Sequence, residues 1–302
     1  MPHPLALAAL AGIASSGLYL SLISGIPGII LFAYFVQLPV VLVGLTLGLA
    51  GSLVAALGAL LVTGVIAGVL AAVLYVAVQA GPALIVVRQA LLSRDVDGAT
   101  EWYPPGLLLG QLTLGAGLAI FAAFVIFASE PDGLAGVVES FLAVALSEVG
   151  MIPPDTALPP ELHGLARLFP GLMASSWLLM TVLNGVLAQN VAERLGRNLR
   201  PTPTYSALEL PPWLWIGAAS AALLSLFGGS LGFLGGALLM TLAVPYFFLG
   251  LAVAHHVSRR WTHRRVLLAV LYAALILLGW PALLVVLLGL VEDWVNFRQR
   301  LT

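Results

Sequence analysis

The stretch GSLVAALGALLVTGVIAGVLAAVLYVAVQA, residues 51–80, contains no charged residue and is rich in glycine and alanine. A helix needs about 20 apolar residues to cross the hydrocarbon core of a bilayer, which is about 30 Å thick. This stretch therefore predicts a transmembrane helix. The chain before it is equally apolar, since its first charged residue is Arg88, and residues 5–24 and 26–50 predict two earlier spans.

The same apolar pattern recurs toward the C-terminus. Residues 88–101 are predicted to form a short charged loop, and residues 134–147 a helix that lies at the membrane surface or is half inserted. The remaining predicted spans are residues 106–129, 169–191, 212–229, 236–255 and 266–291. The expected fold is an all-α polytopic transmembrane bundle of about eight spans, with seven or nine as the alternatives. We expect one integral membrane domain over residues 1–302, in which residues 201–302 add C-terminal spans and a tail to a core formed by residues 1–200.

The composition supports lipid as the main solvent. The chain is 61% hydrophobic and 8% charged, whereas soluble domains carry about 25% charged residues. Its net charge of −1 argues against nucleic-acid binding, which requires a basic face. The absence of cysteine excludes disulfides and thiolate metal sites formed by this chain alone.

The arginines predict the orientation of the spans, because cytoplasmic loops are enriched in basic residues. Arg88 with Arg94, the group at 194–200 and the group at 259–265 are expected on the cytoplasmic side. The acidic interval 130–167 is expected outside. Three spans before Arg88 would place the N-terminus outside as well.

Polar residues within spans are the first candidates for function, because each is costly in the bilayer unless it is satisfied. The fifth predicted span carries Asn184, Gln189 and Asn190. They are interpreted either as contacts for a substrate or coupling ion, or as hydrogen-bonding residues between helices.

Gln37 precedes Leu38 and Pro39 within the second predicted span. A proline inside a span frees a backbone carbonyl, and irregular backbone at membrane depth often lines a cavity. The alternative is a simple junction between two short helices. Gln79 and Gln111 are predicted near the membrane edges and are interpreted as ordinary interface residues.

Small residues recur every four positions along the first span, at Ala8, Gly12 and Ser16. Such a stripe permits close approach of another helix. It is interpreted either as a docking surface for another membrane subunit or as an internal packing surface.

Polar residues also close two of the C-terminal spans. Asp293, Trp294, Phe297 and Arg298 belong to a tail that is interpreted as an interfacial amphipathic helix, with partner docking or gating as the alternative. The adjacent pair His255 and His256 points in two directions on a helix, which favours contact with anionic headgroups over a metal site.

Motifs for catalysis are missing from the sequence. It contains no phosphate-binding Gly-x-x-x-x-Gly-Lys loop, no His-Glu-x-x-His and no Gly-x-Ser-x-Gly elbow. We therefore expect no enzyme activity, no catalytic residues, no cofactor and no metal. A lipid-modifying enzyme that uses Glu193, His255 and His256 is the last-ranked alternative.

Three patches of the sequence resemble the YybS-like family of uncharacterised bacterial membrane proteins: Pro82–Leu91 with Glu101–Pro104; Trp177 with Asn184, Ala188 and Gln189; and Leu288–Leu290 with Asp293, Trp294, Phe297 and Arg298. That family is in turn distantly similar to the substrate-binding subunits of energy-coupling-factor vitamin transporters. The resemblance implies a location in the bacterial cytoplasmic membrane. It also implies partners, namely a membrane coupling subunit with ATPases, toward which the stripe Ala8, Gly12 and Ser16 would be directed.

Two functions from different classes follow. The first is a transport-related membrane subunit that binds a small solute and relies on a partner for energy, with Gln37, Asn184, Gln189 and Asn190 as candidate ligands. The second is a non-catalytic membrane scaffold that organises other envelope proteins.

Overall fold

The computed structural model describes residues 3–22, 30–296 and 298, and 77% of the chain is helical. The chain divides into two compact units. Unit 1 comprises Met1–Leu108 and Leu179–Pro203, and unit 2 comprises Leu109–Leu178 and Thr204–Thr302. Residues 109–178 thus group with the C-terminal part of the chain.

Unit 1 is built from short helices joined by tight connections. Its elements are α1 (Pro4–Leu20), α2 (Ile30–Ala33), α3 (Leu38–Leu47), α4 (Leu49–Tyr75), a π-helix (Val76–Ala80), α5 (Gly81–Ala90), the strands β1 (Ser93–Val96) and β2 (Ala99–Trp102), and the part of α8 (His163–Arg194) that begins at Leu179. The predicted second span is thus two helices, α2 and α3, separated by residues 34–37.

A glycine interrupts the most apolar part of unit 1. Gly68 lies inside α4 with φ 86° and ψ 171°, a positive φ that glycine adopts without strain. A Cβ on Gly64 would lie 3.6 Å from the Cβ of Ala72, although residues eight apart on a straight helix are about 12 Å apart. The chain therefore folds back at Gly68. The prediction of one span over residues 51–80 is wrong, because residues 49–67 and 69–90 form two helices.

The same backbone conformation connects α3 to α4. Gly48 has φ 86° and ψ 176°, and a Cβ on Gly51 would lie 3.1 Å from Cγ1 of Val43. Glycines at these two positions let three apolar helical segments follow one another with single-residue turns.

Helix α1 packs closely on α4. A Cβ on Gly12 would meet the carbonyl oxygen of Ala55 and would lie 3.1 Å from the amide nitrogen of Ala59. Ser16 is fully buried, and its hydroxyl lies 2.9 Å from that of Thr63. Backbone contact of this kind is possible only where side chains are small.

The predicted charged loop at 88–101 is wrong in two respects. Arg88 belongs to α5, and β1 and β2 form an antiparallel hairpin in which Arg94 pairs with Glu101. Asp97 and Gly98 have φ values of 52° and 80°, which is the geometry of the two-residue turns favoured in hairpins. The fold is therefore nearly, but not entirely, α-helical.

Unit 2 contains the remaining helices. They are α6 (Pro105–Ile126), most of which lies in this unit, α7 (Gly133–Glu148), the first part of α8, α9 (Trp213–Ser225), α10 (Gly229–Ser258), α11 (Arg264–Leu278) and α12 (Pro281–Val295), with 3₁₀ turns at Pro160–Leu162 and Tyr205–Ala207. The predicted last span, 266–291, is two helices of 15 residues separated at Gly279.

Helix α10 is the centre of unit 2. It packs against α12 where a Cβ on Gly250 would meet the Val285 carbonyl and a Cβ on Gly289 would meet the Tyr246 carbonyl. Helix α7, predicted over 134–147, is present and buries Leu134, Val138 and Leu142 at four-residue spacing in a cluster with Leu158 and Ala166.

Among the residues that the structure describes, four helical stretches are long and apolar enough to cross a membrane: Leu49–Ala90, Pro105–Ile126, Pro160–Arg194 and Gly229–Ser258. The first is 42 residues long and is the one that folds back at Gly68. Large apolar side chains are freely exposed, including Val65 at 87% and Val69 at 78%. Exposure of contiguous apolar surface on this scale is typical of a protein that lies in lipid.

Replacing Gly12 with alanine should destabilise unit 1. The added Cβ would press on backbone atoms of α4, and overpacking of this kind costs about 1–3 kcal/mol. Gly17 lies on the same helix and has nothing within 4 Å of its Cβ position, so Gly17→Ala should be neutral or stabilising. Unfolding of the purified protein in detergent, followed by tryptophan fluorescence, checks this; equal effects of the two variants would contradict the packing described.

The hairpin should respond to acid through Glu101. The side chain of Arg94 donates a 2.7 Å hydrogen bond to Glu101, and this bond lowers the pKa of Glu101 below its ordinary value of 4.5. Because the folded pKa is the lower one, the pair contributes fully above pH 4.5 and is lost as the pH falls through the folded pKa. Carboxyl NMR titration should show the midpoint of Glu101 rising in Arg94→Gln. An unchanged midpoint would rule out the pair as the cause.

Candidate functional site

The turn between α2 and α3, residues 34–37, is irregular, and its second half, Val36 and Gln37, is buried. Its amides at Tyr34, Phe35, Val36 and Leu38 donate to carbonyls three residues earlier, the pattern of a 3₁₀ helix. Short 3₁₀ segments within helices often mark functional or strained positions. Pro39 follows, and since proline has no N–H it removes one donor from the next turn.

Side chains from other helices replace the missing donors. The hydroxyl of Ser15 on α1 donates to the Val36 carbonyl at 2.6 Å, and the hydroxyls of Ser15 and Tyr75 lie 2.7 Å apart. Ser15 and Tyr75 are both fully buried. The irregular turn is thus tied to α1 and to the end of α4.

Gln79 lies in a second irregular segment that also precedes a proline. It belongs to the π-helix Val76–Ala80, where the amide of Gly81 donates to the Val76 carbonyl five residues earlier, and Pro82 follows. The Nε2 of Gln37 donates to the Oε1 of Gln79 at 3.2 Å. Gln79 is 7% exposed, so it is buried within unit 1 and bonded to another helix.

Asn184 on α8 reaches the same turn. Its Nδ2 donates to the Tyr34 carbonyl at 2.6 Å and to the Met180 carbonyl at 2.7 Å. Asn184 and Gln37 are each 1% exposed. The structure therefore brings together two residues that the sequence singled out separately. We call Ser15, Gln37, Tyr75, Gln79 and Asn184 the kink cluster.

Three buried oxygens in and beside the kink cluster have no hydrogen-bond partner among the residues that the structure describes. They are Oε1 of Gln37, Oδ1 of Asn184 and the hydroxyl oxygen of Thr181. Thr181 is fully buried and precedes Asn184 by three residues, so the two share a face of α8. A buried polar group left without a partner costs about 1–3 kcal/mol, so these three oxygens are candidates for contact with a ligand.

Gln189 belongs to a different group of contacts. Its Nε2 donates to the Arg200 carbonyl and to the Thr202 hydroxyl, both at 3.1 Å, and Thr202 donates to Glu193 at 2.8 Å. Arg200 in turn donates to the Ala90 carbonyl at 3.0 Å and lies over the ring of Trp102. Gln189 therefore fixes the segment after α8, and Asn190 beside it is half-buried.

The small-residue stripe faces α4 within unit 1. Ala8 and Ser16 are buried, and Gly12 meets the backbone of α4. This favours the internal packing interpretation of Ala8, Gly12 and Ser16 over the docking interpretation, because the surface is already occupied by the chain itself.

The C-terminal tail is anchored within unit 2. Arg298 donates to the buried carboxylate of Glu292 at 2.7 Å and to the carbonyls of Ser206 and Leu208 at 2.9 and 2.7 Å. Trp294 is 73% exposed, and its ring lies edge-on to that of Trp215 at 6.2 Å. Asp293 is half-buried, and burial beside Glu292 raises its pKa. Phe297 lies outside the described residues.

The two best-formed pockets and the described histidines involve other residues than the kink cluster. His255 contacts the hydroxyl of Tyr272 at 2.8 Å, and the described residues contain no group of three or more metal-ligating side chains. The two best-formed pockets are open depressions of about 370 Å³ beside the hairpin in unit 1 and about 340 Å³ around residues 124–134 in unit 2. Neither is lined by Gln37 or Asn184.

Comparison with known proteins places the chain in a family. No curated protein and no solved structure matches it. A family described as "Predicted membrane protein (DUF2232)" matches residues 13–292, which include nearly all of both units and all of the kink cluster. The apolar helices described above agree with that description. The chain therefore belongs to the DUF2232 family of predicted membrane proteins.

Proposed function

We propose that this membrane protein is a non-catalytic, transport-related subunit that binds a small solute at the kink cluster and relies on a partner for energy. The observation that carries the proposal is the set of unpartnered buried oxygens where two proline-induced irregularities meet. Irregular backbone and discontinuous helices at membrane depth are the usual place for substrate and ion sites in transporters.

The dependence on a partner follows from what the sequence lacks. It has no nucleotide-binding loop to couple transport to ATP hydrolysis. The resemblance to YybS-like proteins, and through them to energy-coupling-factor substrate-binding subunits, supports a membrane coupling subunit with ATPases as that partner and the bacterial cytoplasmic membrane as its location. Because Ala8, Gly12 and Ser16 are covered by α4, the partner would use another surface.

The fold-back at Gly68 changes the side of the membrane on which the N-terminus is expected. If α1, the α2–α3 pair and residues 49–67 and 69–90 each cross the bilayer, four crossings precede Arg88. With Arg88 on the cytoplasmic side, the N-terminus would then lie on that side too, opposite to the orientation that three spans predict.

The scaffold remains the second candidate, and one observation favours it. The kink cluster is closed: Gln37 and Asn184 are 1% exposed, and neither lines one of the two best-formed pockets. A site of this kind has no room for a vitamin-sized solute, so the transport proposal requires a much smaller one.

The test is purification from native membranes in mild detergent, followed by mass spectrometry of bound proteins and elemental analysis together with small-molecule analysis of what is retained. We expect an ATPase and a membrane coupling subunit to be retained with the wild type and with Gln37→Leu. The variant should lose the bound solute, since it removes one oxygen ligand and the bond to Gln79.

The matched control is Gln111→Leu, which removes an exposed glutamine in unit 2 and should retain the solute. Recovery of envelope proteins with no ATPase and no solute would overturn the transport proposal and support the scaffold. Equal loss of solute from both variants would remove the kink cluster from the site.

A further inference from the structure

We infer that α11 and α12 form a re-entrant hairpin, which enters one leaflet of the membrane and returns to the side on which it began. The interaction surface is the apolar exterior of the hairpin, and its partner is the acyl chains of that leaflet. The inference concerns unit 2 alone and does not depend on the function proposed for the kink cluster.

The C-terminal ends of α10 and α12 lie together. Arg259, which directly follows α10, donates to the hydroxyl of Ser206 at 2.6 Å. Arg298, shortly after α12, donates to the carbonyl of the same Ser206 at 2.9 Å. An arginine side chain is much shorter than either helix, since even α12, with 15 residues, is about 22 Å long. Both helices therefore end at the same end of unit 2.

Helices α10 and α12 consequently run in the same direction. A Cβ on Gly289 would lie 2.9 Å from the amide nitrogen of Gly250, so the two glycines face each other. Each glycine lies about two turns before the end of its helix, as expected for helices that end at the same level. Because α12 has 15 residues and α10 has 30, α12 lies along only the C-terminal half of α10.

Helix α11 runs in the opposite direction, back along α10. Only residues 259–263 separate these two helices. The Nε2 of His255 lies 2.8 Å from the hydroxyl of Tyr272, which brings the middle of α11 beside the last turn of α10. Helix α11 ends before Gly279, whose φ of 71° is one that glycine adopts without strain, and α12 starts at Pro281. The two helices thus form a hairpin with its tip at Gly279 and its open end beside the end of α10.

The hairpin is too short to cross the bilayer. Each of its helices has 15 residues and is about 22 Å long, whereas the hydrocarbon core is about 30 Å thick. Residues 266–291 carry no charged side chain, so this stretch is suited to the hydrocarbon core. With the open end at the headgroups, the tip lies inside the core and does not reach the other side.

Charged residues place the open end at the headgroups. Four exposed arginines lie where the hairpin begins: Arg259, Arg260, Arg264 and Arg265. Arg298 follows the hairpin. Basic residues are enriched on the cytoplasmic side of membrane proteins. A single span over residues 266–291 would put Arg298 on the side opposite the other four arginines, whereas a re-entrant hairpin puts all five on one side.

The tip satisfies backbone carbonyls within itself, as a turn in the hydrocarbon core requires. The amide of Trp280 donates to the Leu278 carbonyl at 2.8 Å. The amide of Ala282 donates to the Gly279 carbonyl at 3.0 Å. Pro281 has no N–H that needs an acceptor. The side chains of Leu278 and Trp280 are apolar and exposed, which suits contact with acyl chains rather than with water.

The experiment is cysteine labelling of the full-length protein in its membrane, for which the chain is suited because it contains no native cysteine. Single cysteines are introduced by Thr262→Cys before α11, by Trp280→Cys at the tip, and by adding one cysteine after Thr302. A membrane-impermeant maleimide is applied to intact cells and, separately, to inverted vesicles. We expect Thr262→Cys and the added cysteine to be labelled in the same one of the two preparations. Trp280→Cys should be labelled in neither preparation until the protein is denatured in detergent.

The matched control is Ser230→Cys, at an exposed position in the first turn of α10. It should be labelled only in the other preparation, because α10 is long and apolar enough to cross the membrane. Labelling of Ser230→Cys in the same preparation as Thr262→Cys would overturn the inference, because α10 would then not cross.

Two further outcomes would also overturn the re-entrant hairpin. Labelling of Thr262→Cys and of the added cysteine in opposite preparations would mean that the chain crosses the membrane once between them. Labelling of Trp280→Cys before denaturation would mean two full crossings if it occurs together with Ser230→Cys, and a hairpin on the membrane surface if it occurs together with Thr262→Cys.

Discussion

In lipid, no water is present to donate a hydrogen bond to a backbone carbonyl that lacks a protein donor. Each such unsatisfied group costs several kcal/mol. Unit 1 creates this problem at Pro39, and its helices are arranged so that side chains solve it. Ser15 brings α1 to the turn, and Asn184 brings α8 to it. The positions of these two helices around α3 thus depend on hydrogen bonds to one short segment. Asn184, which satisfies a carbonyl of that segment, also leaves its own Oδ1 without a partner among the described residues.

Glycine makes the close approach possible. Gly48 and Gly68 share one backbone conformation, so that α3 and the two parts of α4 can follow one another with almost no loop. Gly12 then lets α1 lie against the backbone of α4. Longer polar loops, which could satisfy their own hydrogen bonds, would add exposed backbone. A turn made by one glycine adds very little exposed backbone. The first 87 residues contain no Asp, Glu, Lys or Arg, which is consistent with such short connections between helices.

Much of this architecture could be predicted from the sequence, and the failures have physical causes. Length and hydrophobicity located most helices, and the rule that polar residues in spans are costly singled out Gln37 and Asn184. The hydrophobicity of a segment does not report the direction in which its helix runs, so it could not show that the chain reverses at Gly68. It also did not show that Gln79 is buried, because an apolar run interpreted as one straight helix simply ends there. The hairpin had a signal, Asp97-Gly98, within a segment too short and too charged to suggest strands.

Two features of the kink cluster favour different functions: transport of a small solute, or organisation of other membrane proteins. Its packing is as closed as that of a structural core, which is what a scaffold needs. Yet a purely structural core gains nothing from acceptors without donors, and three other threonines show that the chain can satisfy such a hydroxyl within its own helix. Thr181 does not do so, and it shares a face with Asn184. A small ligand at that face would offset the cost of the unpartnered oxygens, and this is the feature that separates the transport proposal from the scaffold proposal.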